Sequence, residues 1–211
     1  MRALRTFCTA LLLTATIAVA QSAAATDDAS PAALAFIQKL GNDAIKELTD
    51  PGIPQAEREA RFRRLLVDRF DMAAISKFVL GRYWRSTNEA QRAEFQRLFV
   101  DFIVESYSVR FSDYLGQGVK VTDSSAEDNG TIVVHSNIDM SSSENIRVDW
   151  HLRPLDGSFA IMDIIVEGVS MAVTQRSEFA SVIQSKGGTV KGLIDALRAK
   201  TTQSANAGAA Q

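Results

Sequence analysis

The chain has 211 residues, 46% hydrophobic and 23% charged, with a formal net charge of −2. That composition fits one globular domain, or two at most. It excludes a nucleic-acid role, which needs a concentrated excess of Lys and Arg. The basic run Arg58, Arg61, Arg63 and Arg64 is offset by Glu57, Glu59 and Asp68 and reads as the solvated face of a helix.

The first twenty residues bear on compartment. Arg2 and Arg5 form a positive start, Ala10 to Ala20 is an apolar core, and Ala18-Val19-Ala20 fits a small-x-small cleavage pattern. Residues 1–20 are therefore expected to be a signal peptide, with cleavage as late as residue 25. The apolar run is too short to span a bilayer, and no later segment approaches eighteen uncharged apolar residues. The expectation is an exported, soluble, periplasmic domain. The only cysteine, Cys8, would leave with the signal, so the mature chain has no disulfide, thiolate nucleophile or cysteine metal site.

Residues 21–30 form a small, polar leader expected to be mobile, and 31–200 the folded domain. Pro31 opens an amphipathic helix running to about Leu48, with Leu34, Ile37, Leu40, Ile45 and Leu48 on one side. Asp50-Pro51-Gly52 breaks it. A second helix, about Pro54 to Arg69, turns Phe62, Leu65, Leu66 and Phe70 inward. Asp71 caps a short third helix that Gly81 ends. Ser86, with Glu89 three residues on, predicts a capping box for a long fourth helix. Beyond it Phe95, Leu98, Phe99, Phe102 and Ile103 recur at helical steps, and Val104, Tyr107 and Phe111 widen the apolar arc beyond what one neighbour needs. Such a helix is either the spine of a core or the wall of an apolar cavity.

After Leu115 the period falls to 2. Val119 and Val121 alternate with polar residues, Asp128-Asn129-Gly130 is a turn, and strands follow around Ile132–Met140 and Ile146–Arg153. The run SFAIMDIIVEG is apolar on both sides, which predicts a central strand. Two helices, about Met171–Lys186 and Thr189–Lys200, close the domain, split by Gly187-Gly188. The low-complexity tail 201–211 is expected to be disordered. The sum is an α+β domain: N-terminal helices, a four-stranded antiparallel meander and C-terminal helices.

Catalytic signals are sparse. A symmetric hairpin closing at the 140–146 loop would set His135 opposite His151, with Asp149 diagonal to His135. Two imidazoles and a carboxylate can hold a metal or act as acid and base. The simpler alternative is a solvated sheet face on which Arg147 pairs with Asp139. Ser170 lacks a neighbouring histidine and reads as a helix N-cap, and Asp163 as a hydrogen-bonded structural carboxylate. No catalytic residue, metal ligand or cofactor is assigned.

Three stretches together resemble one family: FDMAAISKFVLGRYWRSTNEAQRAEFQRLFVDFIVESY, VDWHLRPLDGSFAIMDIIVEGVSMAVTQRSEF, and the GG-x-x-x-x-LI-x-x-L pattern from Gly187 to Leu197. They are similar to the MlaC family of periplasmic phospholipid-binding proteins, also called toluene-tolerance auxiliary substrate-binding proteins. Phe159 departs from the pattern, standing where the family has Trp. The resemblance implies a deep apolar cavity between sheet and helices that takes phospholipid tails. It also implies a role as a monomeric phospholipid shuttle in maintenance of outer-membrane lipid asymmetry. Its implied partners are an inner-membrane MCE-domain/ABC transporter and an outer-membrane lipoprotein–porin complex. A hopanoid-associated paralogue is one alternative, and a small enzyme using His135, His151 and Asp149 the other. Given that resemblance, the candidate lining is Phe99, Phe102, Ile103 and Tyr107 from the long helix, with Val134, Ile138, Val148, Trp150, Ile164 and Val166 from the sheet. Phe78, Trp84, Val169 and Met171 are candidates for its mouth. Two acyl chains call for a volume at or beyond about 1,000 Å³.

Overall fold

The structure, a computed structural model, describes residues 30–109, 111, 118–139 and 145–208, with side chains described as far as 202. The expected signal peptide and residues 21–29 of the leader lie outside the described residues. Ser30, the leader's last residue, is held in place. Its hydroxyl accepts the Ala33 N–H, and its own N–H donates to Ser124 Oγ at 2.7 Å.

Helices come first: α1 (Pro31–Leu48), α2 (Gln55–Arg69), α3 (Met72–Leu80), a 3-10 turn (Gly81–Ser86) and α4 (Glu89–Ser108). Pro31 starts α1 with its φ already helical and no N–H to strand. The link to α2 is clamped by Arg58, only 6% exposed, whose guanidinium donates to the carbonyl oxygens of Leu48, Asp50 and Ile53. Asp71 caps α3 as expected, accepting the Ala74 N–H at 2.9 Å, and Gly81, at φ 52°, ends it. The cap of α4 falls two residues later than expected. Asn88 accepts the Gln91 N–H, and the Gln91 side chain accepts the Asn88 N–H. Ser86 is excluded because the 3-10 turn continues through it, and its hydroxyl donates to the Tyr83 carbonyl.

The sheet follows: β1 (Val119–Ala126), β2 (Ile132–Ile138), β3 (Ile146–Leu155), β4 (Ser158–Val166) and β5 (Val169–Ser170), antiparallel in that order. The α+β class stands, but the expected four strands are five. β5 is two residues long, too short for a period of 2 to register, and Glu167 (φ 49°) with Gly168 (φ 80°) reverses the chain into it. β4 is also not central along its length. β5 pairs only with Ile165 and Val166, while farther back the α2–α3 link covers β4 through a Phe70–Ile161 bridge and an Asp71 N–H to Ile161 carbonyl bond of 3.0 Å. Covering the edge this way leaves few free strand groups there. The chain closes with α5 (Met171–Ser185) and α6 (Val190–Gly208), the latter running through much of the segment expected to be disordered.

The apolar interior is divided. One cluster joins α3, α4, α5 and α6 around Phe95, Leu98, Phe99, Phe179, Ile183 and Leu193. The other joins α1 to the sheet around Ala33, Ile37, Val134, Leu152 and Ile161. Phe70 packs against both. Elsewhere the two clusters do not close completely, and a hollow lies between them.

Candidate functional site

That hollow is an apolar cavity of about 360 Å³, open to solvent. α1 contributes Leu40, Ala44 and Leu48, and α2 contributes Phe62, Leu65 and Leu66. From α4 come Phe99, Ile103 and Tyr107, one turn apart in sequence and so on one helix face. The sheet supplies Trp150, Ile164 and Val166, which share a face because Trp150 pairs with Ile164 and Val148 with Val166. Met72 and Ile75 of α3, Phe70 before it, Met162 of β4, and Met171, Ala172 and Gln175 of α5 add to the wall. Many of these side chains are half-buried rather than sealed, Phe62, Leu65, Ile103, Trp150 and Ile164 among them. Tyr107, 43% exposed, stands at the rim.

Asp163 and Trp150, two polar groups on the wall, are already occupied. Asp163 accepts hydrogen bonds from the Ser170 hydroxyl, the Ala172 N–H and the Ile164 N–H. Its carboxylate lies at the N-terminus of α5, where the helix dipole favours it. Ser170 in turn caps that helix, accepting the Val173 N–H at 3.0 Å. Trp150 donates its indole N–H to Ser136 Oγ at 2.9 Å, and Ser136, 1% exposed, donates to the Val148 carbonyl. The indole is thus fixed with its apolar body toward the hollow and no unmet donor. A surface of this kind offers hydrocarbon contact and little else.

Of the residues proposed from sequence, Phe99, Ile103, Tyr107, Trp150, Ile164, Val166 and Met171 line this cavity. The other seven stand elsewhere. Val134 (0% exposed) and Val148 (2%) are closed into the interior, and Ile138 ends β2 opposite Ile146. Phe102 packs edge-on to Phe179 and under Lys200. Trp84 is covered by Arg92, whose guanidinium carbon lies 4.7 Å from the indole centroid. Phe78 (42%) and Val169 (53%) face solvent. The walls from α1 and α2 were missing from the proposed lining, although their inward faces were legible. A helical apolar stripe does not say whether it meets another side chain or empty space. The volume is also about a third of the roughly 1,000 Å³ anticipated for a two-chain lipid.

The histidines are arranged differently from expectation. The β2–β3 ladder starts at Ile138–Ile146, which sets His135 opposite Asp149 and moves His151 to the diagonal, opposite Val133. His135 Nδ1 lies 2.8 Å from Asp149 Oδ1, and Arg147 forks onto the same carboxylate at 3.2 and 2.8 Å, in place of the expected Asp139. Burial alone would raise the Asp149 pKa, but hydrogen bonds from Arg147 and His135 outweigh it and hold the carboxyl below its ordinary range. Among the described residues, no three His, Cys, Asp or Glu side chains converge to hold a metal ion. No helix there is long and apolar enough to cross a membrane.

The family profile described as "MlaC protein" matches residues 38–199, a span that includes every wall residue of the cavity. The chain belongs to the MlaC family. Among curated proteins it is similar to the toluene tolerance protein ttg2D of Pseudomonas putida, 25% identical over 133 residues, which are 63% of this chain and 62% of that one. It is also similar to the intermembrane phospholipid transport system binding protein MlaC of Haemophilus influenzae, 26% identical over 132 residues, 61% of this chain and 59% of that one. The chain thus spans about three-fifths of the length of these curated relatives. Among solved structures, a phospholipid-binding protein from Ralstonia solanacearum, in complex with a phospholipid, superposes with a TM-score of 0.70 at 23% identity. That match covers 81% of this chain and 97% of the other, a likeness of fold.

Proposed function

We propose that this member of the MlaC family is a periplasmic phospholipid carrier, the shuttle component of an ABC-type lipid transport system that maintains outer-membrane asymmetry. One observation carries the reading: an apolar hollow open to solvent, walled from α1, α2, α4, α5 and the sheet, between two halves of a core that could otherwise have closed. Half-buried aliphatic and aromatic surface is costly in water, at about 25 cal/mol per Å², and gains that energy back when hydrocarbon covers it. The gain is large on the cargo side too. At about 0.8 kcal/mol per methylene, a sixteen-carbon chain is worth roughly 12 kcal/mol when hidden from water, so an unshielded lipid hardly crosses an aqueous gap.

The curated relatives and the lipid-bound neighbour support the same cargo, and the family supports an inner-membrane MCE-domain transporter and an outer-membrane lipoprotein–porin complex as the two docking partners. On this reading the chain performs no chemistry on its cargo. The seven cavity residues named from sequence, joined by Leu40, Ala44, Leu48, Phe62, Leu65 and Leu66, form the acyl-chain surface. A full two-chain lipid needs more room than 360 Å³, so loading widens the hollow at its half-buried walls.

The test is to extract the purified protein with organic solvent and identify the lipid by mass spectrometry, alongside Ile164→Asp. That substitution sets a carboxylate beside Trp150 on the cavity face. Phospholipid in the parent, lost from a folded Ile164→Asp protein, is the expected result. Full lipid content in the variant removes the pocket assignment, and hopanoid in the parent favours the sister branch.

A further inference from the structure

Large apolar residues are exposed at several places, Val67, Tyr107, Val109 and Leu155 among them, and three more, Phe78, Val169 and Val173, lie in α3, β5 and the first turn of α5. α5 carries Val173 (51% exposed) with Arg176 three residues on along the same face, and Val169 (53%) stands in β5 just before the helix begins. Beside them lies the end of α3. The Arg176 guanidinium sits over the ring of Phe78, itself 42% exposed, with 5.2 Å between guanidinium carbon and ring centroid. Gly81 makes that packing possible: a Cβ there would stand 2.9 Å from Arg176 Nε. Basic residues border the patch. Lys77 precedes Phe78 and is exposed, and Arg82 follows Gly81, stacked on Tyr83 and donating to its hydroxyl at 2.9 Å. Two carboxylates also lie nearby in the chain: Glu178 on α5, which accepts a hydrogen bond from the Gln175 amide, and Glu167, two residues before Val169, which accepts the Arg147 N–H.

We propose that this edge, Phe78, Val169 and Val173 ringed by Lys77, Arg82 and Arg176, is a contact surface for an anionic lipid bilayer. Apolar side chains between cations match the boundary of such a membrane, where acyl surface lies beneath negatively charged headgroups. The whole chain carries a net charge of −2, so attraction to an anionic surface must come from a local patch of this kind. The patch also adjoins the cavity. The first turns of α5 place Met171, Ala172 and Gln175 on the cavity wall while Val173 and Arg176 point outward. One helix thus presents a membrane-facing side and a cavity-facing side, which sets a short path between bilayer and hollow.

The surface is separate from the cavity, and its test does not depend on what the cavity holds. The full chain is sedimented with vesicles of phosphatidylcholine alone and of phosphatidylcholine with phosphatidylglycerol, at low and high salt, together with Val173→Asp and Lys77→Glu. Both substituted positions are exposed and off the cavity wall. Each basic residue near an anionic surface is worth about fivefold in partitioning. The parent should therefore bind the anionic vesicles in a salt-sensitive way and the neutral ones at least tenfold less. Each variant should lose about tenfold or more while keeping the parent's extracted-lipid content. Equal binding to both vesicle types, or undiminished binding by both variants, overturns the proposal. Absence of vesicle binding by the parent also overturns it and assigns the patch to a protein partner. A parent that binds the anionic vesicles but yields no lipid on extraction would instead count against the cargo reading alone.

Discussion

Filling the hollow separates its two consequences, because stability and cargo should respond with opposite signs. Ala44 lies on α1 one turn from both Leu40 and Leu48, and all three line the cavity. In Ala44→Trp an indole occupies part of the 360 Å³. An aromatic ring buries on the order of 150 Å² of apolar surface. At about 25 cal/mol per Å² that is worth up to about 4 kcal/mol. Lower helix propensity, about 0.5 kcal/mol, and side-chain ordering, about 1 kcal/mol, oppose it. Because the hollow is open and the ring only partly covered, the delipidated variant should be about 1 kcal/mol more stable than the parent, read as a higher urea midpoint. Displacing about four methylenes from the same space costs the cargo about 3 kcal/mol, more than a hundredfold in affinity. Native mass spectrometry would read this as loss of the lipid-bound species. Higher stability with unchanged lipid occupancy would refute the link between this hollow and the cargo.

Three further expectations follow from named contacts. Arg58→Met strands the carbonyl oxygens of Leu48, Asp50 and Ile53 in a buried corner. With hydrogen bonds to charged groups at about 1.5–3 kcal/mol, and two of these long, we expect a loss of about 3–4 kcal/mol in urea unfolding; a loss under 1 kcal/mol would contradict the clamp. Asp149, held below its ordinary pKa when folded, contributes stability that is present above the unfolded value of about 3.9 and lost as pH falls through the lower folded value. In Asp149→Asn the urea midpoint should therefore fall less steeply than in the parent below about pH 4, and an unchanged slope there would rule out the contribution. Trp150 lines the cavity and Trp84 does not. Lipid with brominated acyl chains should thus quench the fluorescence of Trp84→Phe and leave that of Trp150→Phe nearly unchanged; the reverse pattern would relocate the chains.

The helices were largely legible from sequence because each carries strong local signals. Pro31, Asp71 and Gly81 mark boundaries by backbone chemistry alone, and Ser170 and Asp163 took the structural roles expected of them. Where two residues compete for one cap, local chemistry is not enough. Ser86 was a plausible cap until the 3-10 turn consumed its hydroxyl. Register was harder, since alternation fixes which face a residue takes but not its partner. A shift of two keeps every side chain on its face, and that shift set Asp149 rather than His151 opposite His135. The cavity was half legible for a related reason. Periodicity finds inward faces, and Phe62, Leu65 and Leu66 were found that way, but only the packing of two clusters around Phe70 reveals which inward faces look onto space.

The most direct trial of the central claim is a high-resolution crystal structure of the protein as purified from cells. The account predicts continuous tubular density for hydrocarbon between α4 and the sheet, against Phe99, Ile103, Trp150 and Ile164. A hollow closed by its own side chains, or holding only ordered water in protein shown by extraction to be lipid-loaded, would contradict it.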